Sequence, residues 1–186
     1  GADVNLQNND GNTALHVAAR WDQPTAIDAL IAAQGINVNL KNDDGDTALH
    51  EAAKWGHPEA VHSLIGAQKV NVNRKNNGGN TALHEAAFWG HLAAIHALIA
   101  AQGTNVNLKN NDGNTALHFA AERGQPEAIN TLIAAQITSV NLQNNYGNTA
   151  LHVAARWGHP AAINALIAAQ RANVNLQNDH GHTALH

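Results

Sequence analysis

Histidine is the side chain through which this sequence could most readily do chemistry. It occurs 13 times in 186 residues, and a neutral imidazole can bind a metal or pass a proton near physiological pH. Six histidines stand in Thr-Ala-Leu-His, as His16, His50, His84, His118, His152 and His186. Two of them, His50-Glu51 and His84-Glu85, carry half of a zinc-protease motif. That motif needs a second histidine four residues on, on the same helical face. Lys54 and Phe88 stand there instead. His57, His91 and His159 fall where second helices should begin, so capping accounts for them, and His62, His96, His180 and His182 have no ligand spacing. There is no cysteine, which removes thiolate sites and disulfides. Serine occurs only as Ser63 and Ser139, and there is no Gly-x-Gly-x-x-Gly or Walker motif. The expectation is a non-enzyme without metal or cofactor.

The histidines belong to a repeat. Thr-Ala-Leu-His begins at Thr13, Thr47, Thr81, Thr115, Thr149 and Thr183, always 34 residues apart. A fixed period of 20–50 residues signals a solenoid. Val-Asn keeps the same register, with Asn5, Asn39, Asn73, Asn107, Asn141 and Asn175. Residues 1–186 form a single array of five units plus a partial unit at 171–186, read as a fragment of a longer chain because it starts at Gly1 in mid-pattern and contains no methionine.

Residues 39–72 show what each unit must be. Asp44-Gly45 in a polar run marks a tight hairpin turn. Thr47 suits a helix N-cap, Ala48 to Trp55 a short helix, and Gly56 its left-handed end. Pro58 fits the first turn of a second helix running to about Gln68, with Val61, Leu64 and Ile65 on one apolar face. Such short helices are not stable alone in water, so each unit must bury its faces against the next. Ala52-Ala53 and Ala86-Ala87 keep the first helices thin for that purpose.

This pattern closely resembles the ankyrin repeat. Gly-x-Thr-Ala-Leu-His matches the family's G-x-T-P-L-H, Ala-Ala-x-x-Gly-His at 52–57, 86–91 and 154–159 matches its helix junction, and Gly1-Ala2-Asp3-Val4-Asn5 matches its G-A-D-V-N tail. Two departures stand out: alanine replaces the usual proline, and the period exceeds the family's by one residue, which falls between the second helix and the next hairpin. The resemblance implies an all-α repeat solenoid of hairpin–helix–turn–helix units. It implies that the Thr-Ala-Leu-His histidines tie hairpin backbones to helix starts. It also implies a concave, partner-binding face.

The two residues after each Ala-Ala would look onto that face: Arg20 and Trp21, Lys54 and Trp55, Phe88 and Trp89, Glu122 and Arg123, Arg156 and Trp157. All four tryptophans share one repeat position, which Arg123 takes in the fourth unit. Turn residues such as Asp44, Asp46 and Tyr146 would look the same way. Tryptophan, tyrosine and arginine are enriched in binding hot spots. The other reading is that each tryptophan caps its helix end and packs on its neighbour. The phased asparagines, among them Asn8, Asn42, Asn76, Asn110, Asn144 and Asn178, also have two readings. They could form amide ladders; turn residues that tolerate unusual dihedrals are the favoured account.

The totals narrow the partners. Apolar residues make up 44% of the chain but aromatics only 4%, which suits thin alanine-rich layers. A formal charge of −4 with no basic run argues against nucleic acid. No apolar stretch approaches the roughly 20 residues that span a bilayer, and no targeting segment is visible, so no compartment can be assigned: a cytoplasmic protein and a secreted effector fit equally. The expected function is a non-catalytic scaffold binding another protein or peptide on the concave face. The alternative is a structural filament or spacer built by end-to-end self-association of near-identical units.

Overall fold

The computed structural model describes residues 3–67, 69–135, 138–169 and 171–186; Gly1, Ala2 and Gln68 of the sequence motifs lie outside them. It resolves five helix pairs: α1 (Ala14–Arg20) with α2 (Pro24–Ile31), α3 (Ala48–Trp55) with α4 (Pro58–Gly66), α5 (Ala82–Trp89) with α6 (Leu92–Ala100), α7 (Ala116–Glu122) with α8 (Pro126–Ala134), and α9 (Ala150–Arg156) with α10 (Pro160–Ala168). The odd-numbered helices pack in one row and the even-numbered in a second, each against the same helix of the next unit. No strand occurs among the described residues, so the hairpins are turns only. The second helix of unit two ends at Gly66, short of the expected Gln68.

The core is a thin sheet of side chains between the rows. Ala52, Ala53, Ala86, Ala87, Ala120 and Ala121 have no solvent exposure, so first helices of adjacent units touch nearly backbone to backbone. Leu49, Leu83 and Leu117 point between the rows and meet Val61, Leu64, Ile95, Leu98, Ile129 and Leu132 from the second helices, all buried. Val38, Val106 and Val140 of the Val-Asn pairs close the far edge.

The turns stack as tightly as the helices. In unit two Gly45 N–H donates to Asn42 C=O at 2.9 Å and Asn42 N–H to Asp46 C=O at 2.9 Å, the three-residue loop whose last residue is left-handed. Gly45 has φ 77°, and a Cβ there would stand 2.5 Å from the backbone nitrogen of Asn77 in the next turn. Turn conformation and unit spacing therefore both require glycine.

The helix junction repeats that logic with one exception. Gly56, Gly90, Gly124 and Gly158 all have positive φ after their first helices, whereas unit one places Asp22 there at φ 49°. A left-handed non-glycine residue costs on the order of 1 kcal/mol, and one Asp22 carboxylate oxygen is buried without a hydrogen-bond partner. Asp22→Gly is expected to stabilise the array by about 1 kcal/mol, read as a higher denaturation midpoint. Leu64, fully buried in α4, is the opposite case: Leu64→Ala should cost about 2–5 kcal/mol through lost burial and the residual cavity. A change under about 1 kcal/mol on urea unfolding would place that side chain outside the core.

Candidate functional site

A polar frame holds the turns in register. In each Thr-Ala-Leu-His the threonine N–H donates to histidine Nδ1 three residues on, as from Thr47 to His50 at 3.1 Å. This is a capping box in which histidine takes the place of the usual acid or amide. Because Nδ1 accepts, Nε2 carries the proton, and it donates to a carbonyl of the following turn. His16 reaches Asp46 C=O at 2.9 Å, His50 Asn80 at 2.9 Å, His84 Asn114 at 3.0 Å, His118 Asn148 at 3.0 Å and His152 His182 at 3.0 Å. The role implied for these residues is thus the one they perform. Burial lowers the pKa of His16, His50, His84 and His118, against the opposing pull of their carbonyl or acidic neighbours; His84 and His118 fall to about 4.

Asparagines extend the frame sideways, and here the favoured dihedral account fails. Among the described non-glycine residues only Asp22 has positive φ. The asparagines bond instead. Asn42, Asn76, Asn110, Asn144 and Asn178 each donate Nδ2–H to a side-chain oxygen of the preceding turn, on Asn12, Asp46, Asn80, Asn114 and Asn148, at 2.8–3.0 Å. The Val-Asn residues fix the lengthened loop. Asn39 donates to Lys69 C=O at 2.7 Å and accepts from Asn71 N–H at 2.8 Å, and Asn73 repeats this with Gly103 and Asn105. His57, His91 and His159 cap as well, but not their own helices. Each donates Nε2–H to a carbonyl at the end of the previous unit's first helix: Arg20, Lys54 and Glu122, at 2.9–3.2 Å.

On this frame the turns and first helices present a face. Trp21 is 68% exposed, Trp55 52%, Trp89 50% and Trp157 56%. No ring contact joins two tryptophans among the described residues, so the column is not packed against itself. Other members of the expected set are engaged. Arg20 pairs with buried Glu51 at 2.9 Å, and its guanidinium lies 5.8 Å from the Trp55 ring, whose Nε1–H also donates to Glu51. Arg123 lies 3.8 Å over the Phe88 ring, which meets Trp89 and Phe119 edge to face at 5.1 and 5.5 Å. Lys54 and Glu122 are half-buried; Asp44, Tyr146 and Arg156 are exposed. Asp46 is only 2% exposed and accepts from Asn76, so it belongs to the frame and not to the face.

Sequence reasoning missed one column of this face. Val17, Glu51, Glu85, Phe119 and Val153 occupy the position after Thr-Ala-Leu-His. The signal was a position whose residue class changes from unit to unit inside an otherwise uniform helix. Glu85 is held by the amides of Asn80 at 3.0 Å and Asn76 at 3.3 Å, and burial, opposed by the Asn80 bond, raises its pKa. Among the described residues no group of three acids or histidines could hold a metal ion.

The architecture is that of a stacked helix–turn–helix repeat protein whose capped turns and paired helices recur without interruption. The family profile described as ankyrin repeats (3 copies) matches residues 1–76, 22–110 and 56–142, and that described as ankyrin repeats (many copies) matches 138–186. The chain belongs to the ankyrin-repeat family. Among curated proteins no match is found. Among solved structures it is similar to the ankyrin repeat domain of Bcl-3, described as a unique member of the IkappaB protein family. The identity is 25% and the TM-score 0.90, over all of this chain and 81% of that one. The chain is a non-catalytic repeat protein with the general character of a protein-binding scaffold.

The depressed histidines make stability depend on pH. Their pKa is 6.5 unfolded and about 4 folded at His84 and His118, so the unfolded chain binds more protons in between, and stability rises with pH across that window. It is full above 6.5 and lost as pH falls toward 4, by about 3 kcal/mol for each of these two residues. Glu85, with its raised pKa, gives a smaller contribution of opposite sign, fully present below its unfolded pKa and lost as pH rises through the folded one. Urea midpoints measured from pH 7 to pH 4.5 should fall steadily; a flat profile would mean that the histidines are not held neutral.

Proposed function

We propose that the array binds a protein or peptide across the face made by its turns and first helices, the concave side in the family it belongs to. The observation that carries this reading is the row of four half-exposed tryptophans on a hydrogen-bonded frame. Exposed indoles in a row are large apolar surface left in water, and such surface marks interaction sites. Tryptophan also supplies contact area with little conformational entropy to lose. The helical frame is fixed by buried alanines and turn bonds that recur in every unit, so the side chains are presented with little ordering left to do on binding. No helix among the described residues is long and apolar enough to cross a membrane, which fits a partner met in water.

Selection from a displayed peptide library on the immobilised chain tests the face directly. Ligands so obtained should bind Trp55→Ala/Trp89→Ala at least tenfold more weakly. They should be indifferent to Glu59→Ala/Glu127→Ala, two exposed residues at the starts of α4 and α8. Sensitivity to the second pair with indifference to the first would move the binding surface to the outer helices.

A further inference from the structure

Exposed carboxylates gather beside the first two tryptophans, and the chain's own cations show what the row accepts. In the first three units the exposed acids of the turns are Asp10, Asp43 and Asp44; Lys41, Arg74 and Lys75 also belong to these turns, and Arg20 and Lys54 to the first helices. Arg20 is committed to Glu51. Asp10, Asp43 and Asp44 are exposed and line one groove together with Arg20, and Arg20 in turn lies against the Trp55 ring. Carboxylates and indole thus share a single strip. Within it one guanidinium already sits on an aromatic ring while bonded to a carboxylate, and in unit four Arg123 sits on Phe88 at 3.8 Å. A cation over an aromatic face gains about 0.5–2 kcal/mol, most where water is excluded.

We propose that the first three units take an extended basic segment of a partner protein. Its arginine or lysine side chains would lie on the open faces of Trp21, Trp55 and Trp89 and reach the carboxylates of Asp10, Asp43 and Asp44. The proposal rests on the inner-face reading and adds its chemistry. Neighbouring units are spaced as packed helices, about 10 Å apart, and a chain in the extended polyproline II conformation advances about 3.1 Å per residue and returns every third side chain to the same side. A basic residue at every third position therefore matches one cation to one unit. The acidic strip disfavours nucleic acid and acidic peptides by the same Coulomb term that favours a basic one.

Synthetic twelve-residue peptides without tryptophan test this on the whole chain, because the protein's own exposed indoles report binding by fluorescence. The probes are a peptide with arginine at every third position and alanine between, an isomer with its four arginines contiguous, and the glutamate analogue of the first. The spaced arginine peptide should bind at least tenfold more tightly than the other two. Asp43→Asn/Asp44→Asn should weaken it about tenfold and flatten its salt dependence, Trp55→Ala should weaken it comparably, and Glu59→Gln/Glu127→Gln on the second helices should leave it unchanged. Equal binding of the glutamate analogue, or indifference to both the aspartate and the tryptophan changes, overturns the proposal. Equal binding of the contiguous isomer overturns the three-residue register. Display-selected ligands that depend on Trp55 and Trp89 while no basic peptide binds would sink this inference and leave the face reading standing; ligands that ignore the tryptophans would sink both.

Discussion

His16, His50, His84, His118 and His152 each bond in two directions, and the array depends on that pair of bonds. Nδ1 holds its own helix start, and Nε2–H reaches the carbonyl of the next turn. Local structure and unit-to-unit register are thereby fixed by one ring. The bond forms only if the turns stand at a set distance, which the glycines enforce: a side chain at Gly45 would run into the backbone of Asn77. The Nδ1 bond in turn needs a neutral imidazole, because a protonated Nδ1 cannot accept, and burial lowers the pKa of His50. Alanines in the first helices then allow the same close spacing on the other side of the turn layer. Neither layer could set the repeat distance alone. A solenoid whose units contact only their neighbours needs such agreement at every interface, because stability is a sum over interfaces.

Uniformity of this frame leaves the variation to a few positions of the first helices. After each Ala-Ala pair the residues are Arg-Trp, Lys-Trp, Phe-Trp, Glu-Arg and Arg-Trp, and after each Thr-Ala-Leu-His they are valine, glutamate or phenylalanine. Val17, Trp21, Trp55, Trp89 and Trp157 among them are exposed. The chemistry of the face can therefore change from unit to unit without altering the stacking distance.

The helix pairs were legible because their signals are local: Thr47, Gly56 and Pro58 mark caps and starts by backbone preference alone, and α3 begins and ends at the expected residues. Asparagine misled because its best-known signal, tolerance of left-handed φ, is also local, whereas its work here is to bond across units 30 to 32 positions apart. His57 misled for the same reason: it stands at an N-cap position yet serves the carbonyl of Arg20 in the preceding unit. By turn position Asp46 falls on the face, yet the amide of Asn76 draws it into the frame. Phe119 carries no local signal, because its partners, Phe88 and His84, come from the neighbouring helix. In each case the missing information was the identity of a residue about one unit away.

Face and frame are not separate everywhere. Glu51 is 1% exposed and accepts from Arg20, Asn42 and Trp55. A buried carboxylate that loses its cation is strongly destabilising, so truncating Arg20 would act on the fold as well as on binding. Trp55 differs: without its indole the carboxylate keeps Arg20 and Asn42. Asp43 and Asp44 differ too, since their side chains are exposed. Even where the row of aromatics is continuous, only some of its members can report on recognition alone. The Arg20–Glu51–Trp55 cluster is where a cation seated on the face also stabilises the interface between two units. A partner's cation held in the same way would brace those units against each other. Binding at the first interface would then raise the stability of both neighbouring units, by mass action alone.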